Sequence, residues 1–315
     1  MGTYLARRVA LGLVTLAVLT LLIFMLVRVL PGSAIYLLTA DAQASKEQIA
    51  ALEHQMGLDR PVYVQYVEWV SNLARGDLGT SLISGQPVIQ AIRERWPVTV
   101  ELGVASVLLS FAAGLGMGIA AAIRQDTPLD YTIRSLAIFG LSVPNFWLGT
   151  LALILLPTVF HWTPPLQWAD IWVDPASNLV MVAFPAAILA LFLAAATMRM
   201  TRATVLEVLR MDYVRTARAK GLYDRVILVR HVLRNAMIPV LTIVGLQAVV
   251  IMSGSVIMET IFALPGLGSY LYSAALGRDY PAFQAVLLFY GAVVLGINLV
   301  IDFTISMLDP QVRLG

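Results

Sequence analysis

The chain contains no cysteine. Disulfides, thiolate metal sites and cysteine nucleophiles are therefore excluded. Lysine is almost as rare: Lys46 follows a serine and Lys220 follows an alanine, and there are no others. A phosphate-binding loop needs a lysine directly after glycine, because that ammonium bridges the terminal phosphates of a nucleotide. No such loop exists, so energy for any uphill movement has to come from another chain. Charge as a whole is scarce. Asp, Glu, Lys and Arg make up 13% of the residues, against about a quarter in a soluble domain. Most of the surface must face something other than water. The net charge of +2 does not fit a nucleic-acid binder.

What the chain has instead is apolar length: 59% of its 315 residues are hydrophobic. Six charge-free runs cover residues 9–27, 102–123, 135–161, 175–198, 236–258 and 280–301. A helix of about 20 residues crosses the roughly 30 Å hydrocarbon layer, so each run suffices for one crossing. Alternating segments of about ten residues, the mark of a membrane barrel, are absent. The predicted fold is all-α, a polytopic membrane protein with six transmembrane helices. Arg7 and Arg8 precede the first run as in a signal peptide, but its 19 residues exceed a signal core. No clean cleavage site follows, so it is read as a retained helix.

The basic residues orient the chain. Arg7, Arg8, Arg124, Arg134, Arg313 and the nine Lys/Arg of residues 199–234 make 14 of the 21, leaving 7 for the other side. Six of those 7 lie in one long segment, residues 28–97, and long loops cross largely regardless of charge. Both termini are therefore placed in the cytoplasm. Residues 1–30 are read as the first membrane helix, 31–97 as an extracytoplasmic helical segment, and 98–315 as the core domain.

Within residues 31–97, "SKEQIAALEHQMG" has Ser45 and Gln48 at capping-box spacing and ends at Gly57. "RPVYVQYVEWVSNLARG" places Pro61 at a first helical position and Gly76 as a stop. The amphipathic "PVIQAIRERW" then leads into the second run. This pattern fits a small helical cap on the outer face, and equally a solvated connector.

The membrane runs carry no ionisable group near their centres; Glu101, Glu259 and Asp302 stand at edges. Ion-coupled carriers usually need a group that gains and loses charge at membrane depth, and an intramembrane protease needs a reactive pair. His54, His161 and His231 fall outside the runs or at their boundaries and form no ligand cluster. No catalytic residue and no metal site is assigned. The neutral polar residues Ser142 and Asn145 (beside Pro144), Gln247, Ser253, Ser255 and Asn298 are candidates to line a translocation pathway. Hydrogen bonding from helix to helix is the competing role. The small-residue run "GLGMGIAAA" points to close helix packing.

Residues 199–234 interrupt this pattern with nine Lys/Arg against three Asp/Glu. One arginine at the centre of a membrane helix costs roughly 2.5–3.5 kcal/mol, so nine would cost on the order of 20 kcal/mol or more. The segment stays in the cytoplasm. Leu222, Val226, Val229 and Leu233 follow helical spacing after Gly221, and Ala217 and Gly221 stand four apart before it. The reading is two short amphipathic helices joined at a small-residue knuckle. It could fix topology, bind anionic headgroups, or insert into an acidic groove of a cytoplasmic partner.

At this point the sequence resembles a family: the permeases of ABC importers, in particular the first permease subunit of dipeptide, oligopeptide and nickel uptake systems. The motifs that carry it are "MGLDRPVYVQYVEWVSNLARGDLGTS", "GLSVPNFWLG", "DYVRTARAKGL" with "RHVLRNAMIPVLT", "METIFALPGLGSYLYSAALGRDYP" and the closing "NLVIDF" with "LDPQVR". They run in order along essentially the whole chain. The general importer pattern is Glu-Ala-Ala, three residues, Gly, then nine residues before Ile-x-Leu-Pro. Here Arg215 and Thr216 replace the first two positions, Ala217 and Gly221 match, and Pro239 comes later. That departure bears on the glutamate of the pattern, not on the coupling assignment.

The resemblance implies a type I ABC importer permease fold in a prokaryotic cell membrane. It implies a homologous second permease, two cytoplasmic ATPase subunits that bind ATP and magnesium, and an extracytoplasmic substrate-binding protein. This chain itself would carry no cofactor. Coupling to the ATPases falls on Arg215, Thr216, Ala217, Arg218, Ala219, Lys220, Gly221 and Leu222, within residues 199–235. The expected cargo is di- or oligopeptides, with nickel chelates or another small solute as the alternative. An autonomous channel or facilitator is the reading from another class.

Overall fold

A computed structural model of the chain describes residues 2–29, 54, 59–165 and 167–308. Apart from residue 54, the helix expected over residues 45–57 lies outside the described residues, as do Arg313 and all of the closing "LDPQVR" after Leu308. Among the described residues the regular structure is helical, with one isolated antiparallel bridge between Thr80 and Pro87. The chain forms two compact units, Met1–Pro97 with Gly266–Gly296, and Val98–Pro265 with Ile297–Gly315. Residues 266–296 thus group with the N-terminal part.

In the first unit, α1 (Gly2–Val29) is one apolar helix whose residues Ile23, Phe24 and Val27, near its C-terminal end, are buried. The helix α2 (Val62–Ala74) covers them. Tyr66 and Trp69 of α2 pack on Phe24 with ring centroids 5.1 and 5.8 Å away, and Arg28 stands 3.3 Å over the same ring. Arg28 also donates to Gln65 Oε1 at 2.5 Å. The α2 segment is therefore docked, not a free connector. Pro61 caps α2 from just outside it, one residue earlier than the sequence places it, and Gly76 stops it as expected. The turn that follows is pinned by Asp279, which accepts from Ser81 Oγ at 2.5 Å and from the Leu82 amide at 3.1 Å. It lies between α9 (Leu267–Leu276) and α10 (Tyr280–Leu308). Burial pushes the Tyr270 phenol above its ordinary value, and the Asp279 carboxylate adds to the effect.

The second unit is built on α6 (Pro175–Leu209). Asp174 caps its first turn by accepting from the Ser177 amide at 3.2 Å, with Pro175 at the first helical position. Ser177 holds the Asp174 carboxyl below the usual carboxylate range. Along α6 three apolar clusters follow one another. Met181, Val182, Ala186 and Leu189 pack with Leu102, Met258 and Leu264. Ala195 and Met198 pack with Ala121, Ile133 and Ala137. Val205 and Val208 pack with Val214, Ala217, Ile227, Val232 and Ala236. The close approach foreseen for "GLGMGIAAA" is real. On α3 (Val88–Ile123), a Cβ at Gly114 would sit 2.6 Å from Thr197 Cβ, and one at Gly118 would sit 2.5 Å from Thr201 Cβ. Only glycine lets the two backbones meet there.

Five helical stretches are long and apolar enough to cross a membrane: Arg7–Val29, Val88–Ile123, Pro175–Leu209, Asp224–Ile261 and Tyr280–Thr304. One further apolar stretch passes the same test only as a pair, α4 (Pro128–Ser142) and α5 (Asn145–Val159), bent by 95° at the break. The uninterrupted third span expected over residues 135–161 is thus corrected. A residue before proline is pushed out of the helical region; Val143 is extended at φ −95°, ψ 124°, and Pro144 follows it.

Candidate functional site

The basic segment begins inside α6, which runs on to Leu209 and carries Arg199 and Arg202. A separate short helix follows, α7 (Asp212–Ala219). Its sequence is amphipathic: Val214 and Ala217 point into the cluster with Val205 and Val208, while Arg215, Thr216, Arg218, Ala219 and Lys220 are exposed. Ala217 is therefore an anchor, while Gly221, four residues on, is exposed.

The end of α7 is set by Gly221, which has φ +76°. The Gly221 amide donates to Arg218 O at 2.9 Å and the Leu222 amide to Ala217 O at 3.3 Å. These paired bonds are a Schellman motif, and its left-handed position takes glycine at no Cβ cost. No heavy atom lies within 4 Å of where a Gly221 Cβ would be. The knuckle is thus an open protrusion, with the backbone turned back by local hydrogen bonds.

After the knuckle the structure departs from the two short helices expected. A rod runs from Asp224 to Ile261. It opens with a turn of α-helix (Asp224–Val226), passes through π-turns over Ile227–Leu233, and continues as α8 (Arg234–Ile261). Of the predicted stripe only Leu233 packs inward, half-buried against the cluster of Val205 and Val208. Leu222, Val226 and Val229 are exposed, and the buried residues are Ile227 and Val232. The π-turns change the period, so a stripe counted at 3.6 residues per turn points the wrong way. Tyr213 of α7 reaches this stretch, donating to His231 O at 3.4 Å and accepting from Asn235 Nδ2 at 2.8 Å.

The nine basic residues divide unequally. Arg202 turns inward and grips Asp130 with two bonds, Nε to Oδ1 at 2.8 Å and Nη2 to Oδ2 at 2.7 Å. Asp130 is fully buried and also accepts from the Asp126 amide at 3.1 Å. The other eight are exposed. Arg215–Asp212 at 3.7 Å and Arg218–Asp224 at 3.8 Å are long surface pairs that contribute little. Exposed basic groups around an open turn form a surface suited to an acidic protein partner.

The pathway candidates are not gathered into one place. Gln247 is buried and works as a strut: its Nε2 donates to Leu193 O and Thr197 Oγ1, both at 2.9 Å, while its Oε1 accepts from Ser110 at 3.4 Å. Ser255 is buried on Met252 O of its own helix. Ser142 is exposed and bonded to Ile138 O, Ser253 is exposed, and Asn298 is half-buried on α10. Ser142 and Asn145 flank the α4–α5 break. Sequence reasoning missed the Asp130–Arg202 pair, Tyr213, and the bond from Thr99 to the buried Glu259 at 2.8 Å. Nothing in the local pattern marked them, since each partner is distant in sequence. Among the described residues no group of His, Cys, Asp and Glu could hold a metal ion.

Five long apolar helices, a sharply bent apolar pair and a basic elbow on its own short helix define a class of protein, the polytopic membrane protein. Comparison with known proteins gives the family. Residues 114–314 match the model of the binding-protein-dependent transport system inner membrane component, and residues 1–103 match that of the N-terminal part of such membrane components. The chain belongs to this family of ABC importer permeases. A Brucella abortus (strain 2308) protein, provisionally named a peptide transport system permease protein, is 40% identical over 313 residues, covering 99% of both chains. The di/tripeptide transport system permease protein DppB of Pseudomonas aeruginosa is 35% identical over 333 residues, again with 99% of each covered. The dipeptide transport system permease protein DppB of Escherichia coli K12 is 34% identical over 333 residues, covering 98% of each. The fold is similar to that of the inward-facing MetNI methionine ABC transporter, with TM-score 0.58 and 16% identity over 70% of this chain and 97% of that one.

Proposed function

We propose that this multi-pass membrane protein forms, with a homologous second permease, the path by which an ATP-driven importer takes up di- or oligopeptides. Both termini face the cytoplasm, where two ATPase subunits bind ATP and magnesium and press on residues 215–222. A substrate-binding protein delivers cargo from outside. Relatives named for peptide transport along nearly their whole length support the cargo. The observation that carries the coupling role is α7 itself: a short helix anchored by Val214 and Ala217, ended by a Schellman turn, and ringed by exposed cations.

Gly221→Trp tests it. The site is open, so the substitution meets no atom of this chain, and the left-handed backbone costs only about 1–2 kcal/mol. Folding and assembly are expected to persist while ATP hydrolysis no longer drives uptake. Gly221→Ala shares the backbone cost without the bulk and is expected to retain most uptake. Coupled uptake at the parental rate by the tryptophan variant would remove the knuckle from the mechanism. Saturable flux through this chain reconstituted alone, without ATP, would favour a facilitator. Mass spectrometry of what the co-purified binding protein holds distinguishes peptides from nickel chelates.

A further inference from the structure

Glu101 stands half-buried on α3, where a charge is expected to find an opposite one. Among the described residues it finds none. The side chains that act on its carboxyl are the Asn178 amide, which donates to it, and a second acid, Asp170. Two acids that face one another without a cation disfavour each other's ionised form. Asp170 is held in a turn: its Oδ1 accepts from the Trp172 amide at 2.9 Å, and its carbonyl accepts from the Val173 and Asp174 amides, both at 2.9 Å. Apolar packing joins the elements. Leu102 of α3 meets Met181 and Val182 of α6 in one cluster, and Trp168 of the connecting segment lies against it.

Asn178, in the first turn of α6, is fully buried. Its Nδ2 donates to Ala169 O at 2.9 Å as well as to Glu101. Its Oδ1 is buried and has no hydrogen-bond partner among the described residues. An amide group is planar, and one of its two N–H bonds lies cis to the oxygen. The acceptor of that bond stands alongside Oδ1. It is either Glu101 or the carbonyl one residue before Asp170, so the free oxygen borders the same site in both cases. A buried acceptor without a donor is costly. The site thus brings together three acceptors from three elements: Glu101 of α3, Asp170 of the connecting segment and Asn178 of α6.

We infer that Glu101, Asp170 and Asn178 form a subsite for the α-ammonium group of a peptide. An ammonium carries one positive charge and three N–H donors, which match an uncompensated acidic pair and an unused amide oxygen. A metal ion fits less well, since no group of three His, Cys, Asp and Glu among the described residues could hold one. The inference rests on the transporter reading, which puts Glu101 and the start of α6 at the outer mouth, where cargo arrives. There the subsite selects a free amino terminus over solutes that lack an ammonium group.

Carbodiimide labelling of Glu101, read by mass spectrometry, reports occupancy in the complete transporter purified without its binding protein. The probe is whichever of Ala-Ala and Ala-Ala-Ala-Ala the parental complex takes up with ATP, compared with its N-acetyl form. The free peptide at millimolar concentration is expected to slow labelling at least ~10-fold, the worth of one charge-assisted bond, and the acetylated peptide to leave it unchanged. Glu101→Gln is expected to lower uptake of the same peptide at least ~10-fold, while Glu101→Asp keeps most of it. The labelling uses the parental chain, so it decides the matter even where a variant fails to assemble. Equal protection by the two peptides, or protection by neither, overturns the subsite. Protection by the peptide-free binding protein alone also overturns it, because the ammonium is then a lysine of that protein. A parental complex that takes up neither alanine peptide overturns the peptide reading itself, and the subsite with it.

Discussion

The middle of α6 and the stretch from α7 to α8 belong to one compact unit and solve opposite problems. Along the middle of α6, glycines on α3 let backbones touch, and Gln247 satisfies its amide against Leu193 and Thr197. The backbones of α3 and α6 approach there as closely as glycine allows, and Gln247 is held by Leu193, Thr197 and Ser110. Beyond Leu209 the chain carries exposed apolar residues at helical spacing, a left-handed glycine and a π-bonded stretch. Close packing makes the first region a rigid lever. The second is anchored on one side only, by Val214, Ala217, Ile227 and Val232.

This contrast can be broken by substitution. The largest effect is expected at their junction. Arg202→Ala strands the buried Asp130 carboxylate, and removing one partner of a buried pair costs about 3–5 kcal/mol. The unfolding midpoint of the purified protein in detergent should fall accordingly. Replacing both residues by leucine should recover much of that loss. Gly118→Val forces a side chain against Thr201 and the Met198 carbonyl, with about 1–3 kcal/mol of overpacking expected in the same assay. Gln247→Leu removes its bonds to Leu193 O, Thr197 and Ser110, at about 1 kcal/mol for each, and should lower stability without touching ATP coupling. If it abolished uptake in a stable protein, Gln247 would be more than a strut.

The smallest effect concerns Asp174. Its carboxyl titrates below the ordinary value because the ionised form accepts from Ser177. The cap therefore contributes above the unfolded carboxylate pKa of about 3.9 and is lost as pH falls through the lowered folded value. Asp174→Asn should flatten that part of the acid-stability curve, and an unchanged curve would show that the cap contributes nothing measurable.

How much of this was legible in the residues depended on distance along the chain. The apolar runs, the stop at Gly76, the glycine contacts of α3 and the turn at Gly221 all follow from neighbours within a few positions. The break at Val143–Pro144 was half legible: the proline was noted, but a bend of 95° follows only when the flanking helices pack separately. Asp130 and Arg202 are 72 positions apart, and no local pattern pairs them. Ala217 stands four residues before Gly221, and nothing local shows that Val205 and Val208 bury it.

The sequence alone determined that the chain is helical and lives in a membrane, because twenty uncharged residues have no cheaper place to be. It also determined that the arginine-rich elbow stays out of that membrane. Only the tertiary structure decided which face of the elbow is buried, because α and π registers of residues 227–233 place different aliphatic residues inward. The choice between them rests on contacts with α6 and α7, not on anything within the segment.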